Sequence, residues 1–239
     1  MNVYLSEESL VMSGPAPDLA GYAAQLIRGR RATRAFRPTP VPETTLRDVF
    51  SLAAAAPSNS NAQPWQVEVV SGARRDALAD ALVAAHRAGR TSVDFPYSED
   101  IYAPAHQRRR AAFGAALYGA LGIGPDDRDR RAAYDAESLR FYGAPHVAML
   151  FAPDTAEARL AADVGMYGQT LLLALTAHGV ASCPQGLLSF YADTVRDVLG
   201  ISGGKLLFGI SFGYADTEAP VNAITVGREQ LSVTTRFHR

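Results

Sequence analysis

The chain has 239 residues, 48% of them apolar and 20% charged, an ordinary globular composition. Its 23 basic and 24 acidic residues leave a net charge of −1, which excludes nucleic acid or an anionic membrane as the main partner, because either needs a basic surface in excess. A single cysteine, Cys183, excludes an internal disulfide framework and a multi-thiolate metal site.

The opening stretch MNVYLSEESLVMSG lacks a basic start and carries Glu7 and Glu8 where a secretory signal would be apolar. No run approaches the roughly 18 apolar residues that span a bilayer, so a cytoplasmic protein is expected. Residues 1–17 read as a flexible tail closed by Pro15 and Pro17, and 18–239 as one domain, since no internal repeat or low-complexity linker divides them.

Asp18 is placed to cap a helix through LAGYAAQLIRGR. The stretch that follows, RRATRAF at 30–36, crowds Arg30, Arg31 and Arg34 together. Whether this segment is extended or helical, Arg30 and Arg34 share a side. Two converging guanidinium forks suit a phosphate, although a solvated helix end beside the helix dipole would satisfy the same pattern. A second helix runs through VPETTLRDVFSLAAAA, with Leu46, Val49, Phe50 and Ala53 at helical spacing, and Pro57 stops it.

Next, PSNSNAQPW at 57–65 offers Ser58, Asn59, Ser60, Asn61 and Gln63. Uncharged donors and acceptors in such density suit a heteroaromatic edge or a polyol, and equally a turn-rich link. A strand is predicted over WQVEVVSG (65–72) and a helix through ARRDALADALVAAHRAG. Residues 91–104 form an aromatic and acidic loop. Helices follow in RRRAAFGAALYGALGIG and RDRRAAYDAESLRFYG, and Asp126, Asp127 and Asp129 form a loop before the second where capping explains them.

HVAMLFAP (146–153) reads as a buried strand, and AEARLAADVGMYGQTLLLALTAHGV as a helix apolar on all sides from Val164 onward, which must be covered by the core or by a partner. LSFYADTVRDVLG gives a further helix and KLLFGISFGYAD a strand. At the end, Leu231, Val233, Thr235 and Phe237 recur at period two, the mark of an extended arm seeking a sheet edge. Helices alternating with a few apolar strands indicate an α/β or α+β sheet covered by helices.

Standard catalytic motifs are missing. GISGGK (200–205) has the wrong glycine spacing for a phosphate loop, and GALGIG (119–124) has no strand before it. The five histidines show no metal-ligand spacing, and no serine elbow or base beside Cys183 is present. An enzyme built this way leaves the chemistry to a cofactor.

RRATRAF, then PSNSNAQPW, then FGYAD with PVN and GR near the C-terminus together resemble the nitroreductase family, over roughly residues 22–237. Within it, SEDIYAPAHQRRRAAFGAALYGALGI and LLFGISFGYAD are similar to nitrobenzene-reductase-like members. The resemblance implies an α+β, three-layer fold with helices around a mixed central sheet, and a homodimer that exchanges its extended C-terminal arm. It implies FMN held by Arg30, Arg31, Ala32, Arg34 and Arg228, by Pro57, Ser58, Asn59 and Asn61 from the other subunit, and by Pro184, Gln185 and Gly186, whose backbone N–H meets flavin N5. Two departures stand out: Ala32 replaces a common serine, and Val226 and Gly227 stand where a second basic residue often precedes Arg228.

The implied activity is ping-pong reduction of nitroaromatic or other planar electron-poor acceptors, with NADH or NADPH as hydride donor. No catalytic side chain is implied beyond the flavin, and Phe95, Tyr97, Tyr102, Phe113 and Tyr142 would line the acceptor pocket. The same scaffold could run as a flavin-dependent dehydrogenase on a small biosynthetic intermediate, or as a flavin-binding dimer without catalysis.

Overall fold

The computed structural model describes residues 18–239, and the tail expected over 1–17 lies outside them. In chain order the elements are α1 (Leu19–Gly29), α2 (Glu43–Ala53), β1 (Gln66–Ser71), α3 (Gly72–Arg87), α4 (Pro104–Ala120), α5 (Arg128–Leu139), β2 (His146–Ala152), α6 (Ala158–Ala177), β3 (Ala181–Gln185), α7 (Ala192–Leu199), β4 (Lys205–Gly213) and α8 (Leu231–Thr234), with short 3-10 turns between several of them.

The sheet has the order β1-β2-β4-β3 and every ladder is antiparallel. The expected mixed sheet is therefore antiparallel in its strands; among the described residues the parallel pairings are two isolated bridges outside the ladders, Ala32 to Ser182 and Ser92 to Tyr191. Strand β2 is buried at all seven positions because both faces of the sheet are covered. Its side chains alternate by the two-residue period of a strand: Val147, Met149 and Phe151 enter one core, and Ala148, Leu150 and Ala152 the other. A register shift at Leu150/Phe151 re-aims the partner strand, so Leu206 faces the first core while Ile210 and Phe212 face the second.

The first core packs α3, α5 and α7 on the sheet; the second packs α2 and α6. Here α6 approaches β4 closely at Gly168, where a Cβ would meet the Phe208 ring at 2.6 Å unless the ring shifted. Contrary to the sequence expectation, α6 is long and apolar enough to cross a membrane, with a mean hydropathy of 1.2. It is nevertheless a core helix, and buried Asp163 accepts the Asn59 backbone N–H at 3.2 Å.

Other expectations need correction. Asp18 precedes α1 but its side chain caps nothing, because the residue sits in the left-handed region at φ 73. Strand β3 was not anticipated: at five residues, with Pro184 inside, it is too short to show a period, and proline is admitted because β3 is an edge. The C-terminal arm is not extended throughout. Residues Leu231–Thr234 form one helical turn, and the three apolar residues of the arm are exposed, so no sheet edge in this chain rewards their alternation. Capping by Asp127 is as expected, its carboxylate accepting the Arg130 N–H at 3.2 Å.

Candidate functional site

The arginine segment leaves α1 as an extended strip. Thr33 N donates to Ser182 O at 2.9 Å and Arg37 N to Tyr214 O at 2.8 Å, laying residues 32–37 beside β3 and the exit of β4. Asn222 completes the seam: its Oδ1 accepts the Arg34 N–H at 2.7 Å, and its Nδ2 donates to Ala35 O and Asp216 O. The backbone of the strip is thus fixed, and its guanidiniums project from it.

They project into one cleft of about 510 Å3, bordered by Arg28, Arg30, Arg31, Arg34, Arg228 and Phe113. Four of the five arginines were expected from the sequence. Arg28 was not, because one turn earlier on α1 it reads as an ordinary last-turn cation. Among the described residues none of the five pairs with a carboxylate. Their hydrogen bonds are modest: Arg31 donates to Thr225 Oγ1 at 3.1 Å, Arg34 to Ala32 O at 3.3 Å, and Arg228 to the carbonyls of Val226 and Gly227. Like charges gathered without counter-charge repel one another, and an anion relieves that repulsion.

A second, smaller cavity of about 240 Å3 shares Arg34 and Phe113 with the cleft and runs on to Tyr134, Tyr142, Cys183, Pro184, Gln185 and Gly186. The Arg34 guanidinium lies 5.1 Å from the centroid of the Phe113 ring. Pro184 and Gly186 are exposed toward this space, whereas the Gln185 side chain is buried. Its Nε2 donates to Ser138 O at 2.7 Å and to Ser138 Oγ at 3.0 Å, and its Oε1 accepts from Ser211. With its amide so engaged, Gln185 can offer a ligand its backbone and not its side chain.

Tyr142 enters the cavity from the turn Phe141–Gly143, where Phe141 and Tyr142 both have positive φ, 63 and 55. Left-handed non-glycine residues cost about 1–3 kcal/mol each and gather at functional sites. The Tyr134 and Tyr142 rings are 5.8 Å apart, and burial pushes both phenols above their usual range. The Tyr134 hydroxyl is buried with no hydrogen bond among the described residues. Burial also drives the Cys183 thiol up to about 11, against the opposing pull of Arg34 and Arg30, so Cys183 is no thiolate nucleophile. Sequence reasoning missed Tyr134, Cys183 and Asn222 as site residues. Only PVN, already quoted in the resemblance, hinted at the last.

The five aromatic residues expected in an acceptor pocket divide. Phe113 and Tyr142 border the cavity. Tyr97 and Tyr102 border neither the cavity nor the cleft; Tyr97 meets Phe190 edge to face at 5.1 Å, and Tyr102 lies beneath Arg110. Phe95 is not there; it packs against the second core with Lys205 above its ring. Nor does a single chain bring Pro57, Ser58, Asn59 and Asn61 to the cleft. They stand at the end of α2, on the α2–α6 side, tied to Asp163 on α6. There Ser60, Asn61 and Gln63 all have positive φ, and Ser58 Oγ accepts the Gln63 N–H at 2.9 Å.

The family model for the "Nitroreductase family" matches residues 27–214. The chain belongs to the nitroreductase family. It is 64% identical over 227 residues to nitroreductase NfnB of Mycolicibacterium smegmatis, covering 95% of this chain and 97% of the relative. A 4-nitrobenzoate reductase of a Nocardioides species is 35% identical over 211 residues, covering 86% of this chain and 85% of the relative. Among solved structures, the FMN-dependent nitroreductase NfnB from Mycobacterium smegmatis in complex with NADPH superposes with a TM-score of 0.92, covering 93% of this chain and all of that one. An FMN- and NADPH-dependent NfnB from a Sphingopyxis strain reaches 0.87 at 37% identity, covering 91% of this nitroreductase-family chain and 99% of that one.

Proposed function

We propose that this chain is an FMN-dependent oxidoreductase that draws hydride from NADPH or NADH and reduces nitroaromatic or related planar electron-poor acceptors. The observation that carries the reading is the cleft of five arginines without carboxylate partners, continuous through Arg34 and Phe113 with an aromatic cavity. A flavin mononucleotide suits that pair of spaces: a dianionic phosphate for the guanidiniums, a planar ring for the aromatic side, and an orphaned Tyr134 hydroxyl nearby. The relatives described as FMN- and NADPH-dependent support the same choice.

FMN held here would supply the redox chemistry, two-electron transfer between nicotinamide and acceptor in a ping-pong sequence. The chain's own residues have the remaining tasks. Arg30, Arg31, Arg34 and Arg228, with Arg28 beside them, hold the phosphate and the polar edges, and Ala32 contributes only backbone. Pro184, Gln185 and Gly186 present main chain to the ring, and the Ser138 and Ser211 contacts behind Gln185 keep that segment from shifting. Phe113 and Tyr142 bound the space for a flat acceptor, and Tyr97 and Tyr102 stand outside it. Neither Cys183 nor the raised phenols act as a base at neutral pH, so protons come from solvent.

The working unit in this proposal is a homodimer, in which Pro57, Ser58, Asn59 and Asn61 reach the partner's flavin. Their distance from the arginine cleft within one chain, and the exposed apolar residues of α1 and the C-terminal segment, support it. We place it in the cytoplasm, acting on small molecules, with 18–239 as a single domain. The decisive experiment is the absorption spectrum of the purified protein before and after anaerobic NADPH. A flavin band that bleaches and returns on adding a nitroarene is expected. A colourless protein that FMN cannot reconstitute would overturn the assignment of the arginines, and a flavin that neither nicotinamide bleaches would overturn the reductase.

A further inference from the structure

Helix α4 carries a second feature beside the flavin cavities. Gln107, Arg110 and Phe113 recur every three residues and so share one face of the helix, and with Glu99 they border a space of about 660 Å3. Phe113 also borders the arginine cleft and the aromatic cavity, so all three spaces meet at one ring. Arg110 stands three residues before Phe113, a rise of about 4.5 Å along the helix axis, and both side chains border the same space.

The Arg110 guanidinium is held in a frame. It lies 4.1 Å from the Tyr102 ring centroid, and Gln107 Nε2 donates to the Tyr102 carbonyl at 2.9 Å. Both terminal nitrogens of Arg110 donate to the Glu99 carboxylate, one to each oxygen, and the Tyr97 hydroxyl donates to the same carboxylate at 2.8 Å. A stacked guanidinium leaves its donor edge in the plane, where a carboxylate can meet it with two parallel hydrogen bonds. What the frame now holds is itself a carboxylate.

That carboxylate is replaceable. Glu99 is 66% exposed and stands on a single 3-10 turn, Glu99–Ile101. Solvated ion pairs of this kind contribute little to stability. Arg110 and then Tyr97 hold the Glu99 carboxyl down at about 2, so at neutral pH it competes for Arg110 as a full anion.

We propose that Arg110 is a specificity-determining residue that binds a carboxylate carried by the acceptor, taken in exchange for Glu99. The proposal rests on the reductase reading given above. An acceptor stacked at Phe113 with a carboxylate on its far side displaces Glu99 into solvent; a neutral acceptor leaves the Glu99–Arg110 pair closed. Arg110 then selects for anionic acceptors, and Glu99 is the internal competitor that sets how strongly.

The test compares kcat/KM for 4-nitrobenzoate with that for nitrobenzene, using NADPH and the FMN-loaded protein. Arg110→Gln lowers the ratio about tenfold or more, the order of one lost charge-assisted contact, and Glu99→Gln raises it severalfold. The opposite signs matter. Both substitutions break the same ion pair, so a merely structural role would move the ratio in one direction for both, or not at all, and would overturn the proposal. A change confined to the NADPH-to-NADH ratio would assign Arg110 to the donor's 2′-phosphate and overturn it equally. Benzoate binding by calorimetry gives a readout independent of turnover, weaker in Arg110→Gln and tighter in Glu99→Gln. Failure of all variants to reduce nitrobenzene would count against the reductase reading while leaving the benzoate arm to judge the subsite.

Discussion

Arg228 is exposed and, among the described residues, bonds only to the carbonyls of its own two preceding residues, so its substitution removes little from the fold. If it meets the flavin phosphate, Arg228→Ala forfeits a charge-assisted contact of about 1.5–3 kcal/mol, and FMN titrated by fluorescence quenching should bind about 10–100-fold more weakly at unchanged thermal stability. Full occupancy at low FMN would remove Arg228 from the site. His146 is the reverse case, a side chain that serves only the fold. Its Nε2 accepts the Val41 N–H at 2.9 Å, Nδ1 meets Ser71 Oγ, and burial lowers its pKa from the ordinary 6.5. The folded imidazole therefore stays neutral where the unfolded one takes a proton. Stability is complete above about pH 6.5 and is lost as pH falls from there toward the depressed folded value. His146→Gln keeps one acceptor and one donor without titrating, so its melting temperature should fall less than that of the native protein between pH 7.5 and 5.5. Parallel curves would show that His146 titrates alike in both states.

The second core is built from α2 and α6 against β2 and β4. Gly168 on α6 faces Phe208 on β4, and a Cβ at 168 would come within 2.6 Å of the ring and 3.2 Å of Leu150 Cδ2. Helix propensity favours alanine there by about 1 kcal/mol, but overpacking against ring and sheet costs about 1–3 kcal/mol. Gly168→Ala should therefore destabilise on balance in urea denaturation, whereas Gly165→Ala on the same helix, with nothing within 4 Å, should not. The same contrast explains what was legible beforehand. α2 and α3 could be read because burial of one face imposes a helical period on many residues at once, and β2 and β4 because burial on both faces makes them short, nearly unbroken apolar runs. β3 could not, since five residues with a proline carry no period and its existence depends on pairing with β4. The arginines could be read because charge clusters are conspicuous in a nearly neutral chain. Tyr134 and Phe95 could not be sorted into site and core, because only the tertiary packing of α5 and of the loop after α3 decides where those rings go.

At the scale of the whole molecule, the two segments that the resemblance assigns to one flavin are apart in one chain. Arg30–Arg34 lines the cleft, beside the C-terminal end of α6, while Pro57–Asn61 is moored to Asp163 near the start of that helix. A second chain can bring them together, and the surface is suited to receive one. Tyr22 and Ile27 on α1 are 65% and 57% exposed, and Leu231, Val233 and Phe237 are 61–77% exposed, more apolar area than isolated surface residues explain. If the flavin touches both chains, FMN binding and dimerisation are linked, and each strengthens the other by the same factor. Dilution should then release FMN in parallel with dissociation to monomers. A chain ending at Glu229 retains Arg228 but loses the apolar C-terminal residues, so it should dissociate at a concentration at least about tenfold higher, with FMN loss shifted equally. Sedimentation velocity and flavin fluorescence over one dilution series measure both. Coincident shifts would tie the arm to the shared site. A truncated chain that dimerises normally and keeps its flavin would confine the arm to the surface, and FMN retained by monomers would show that one chain completes the cleft alone.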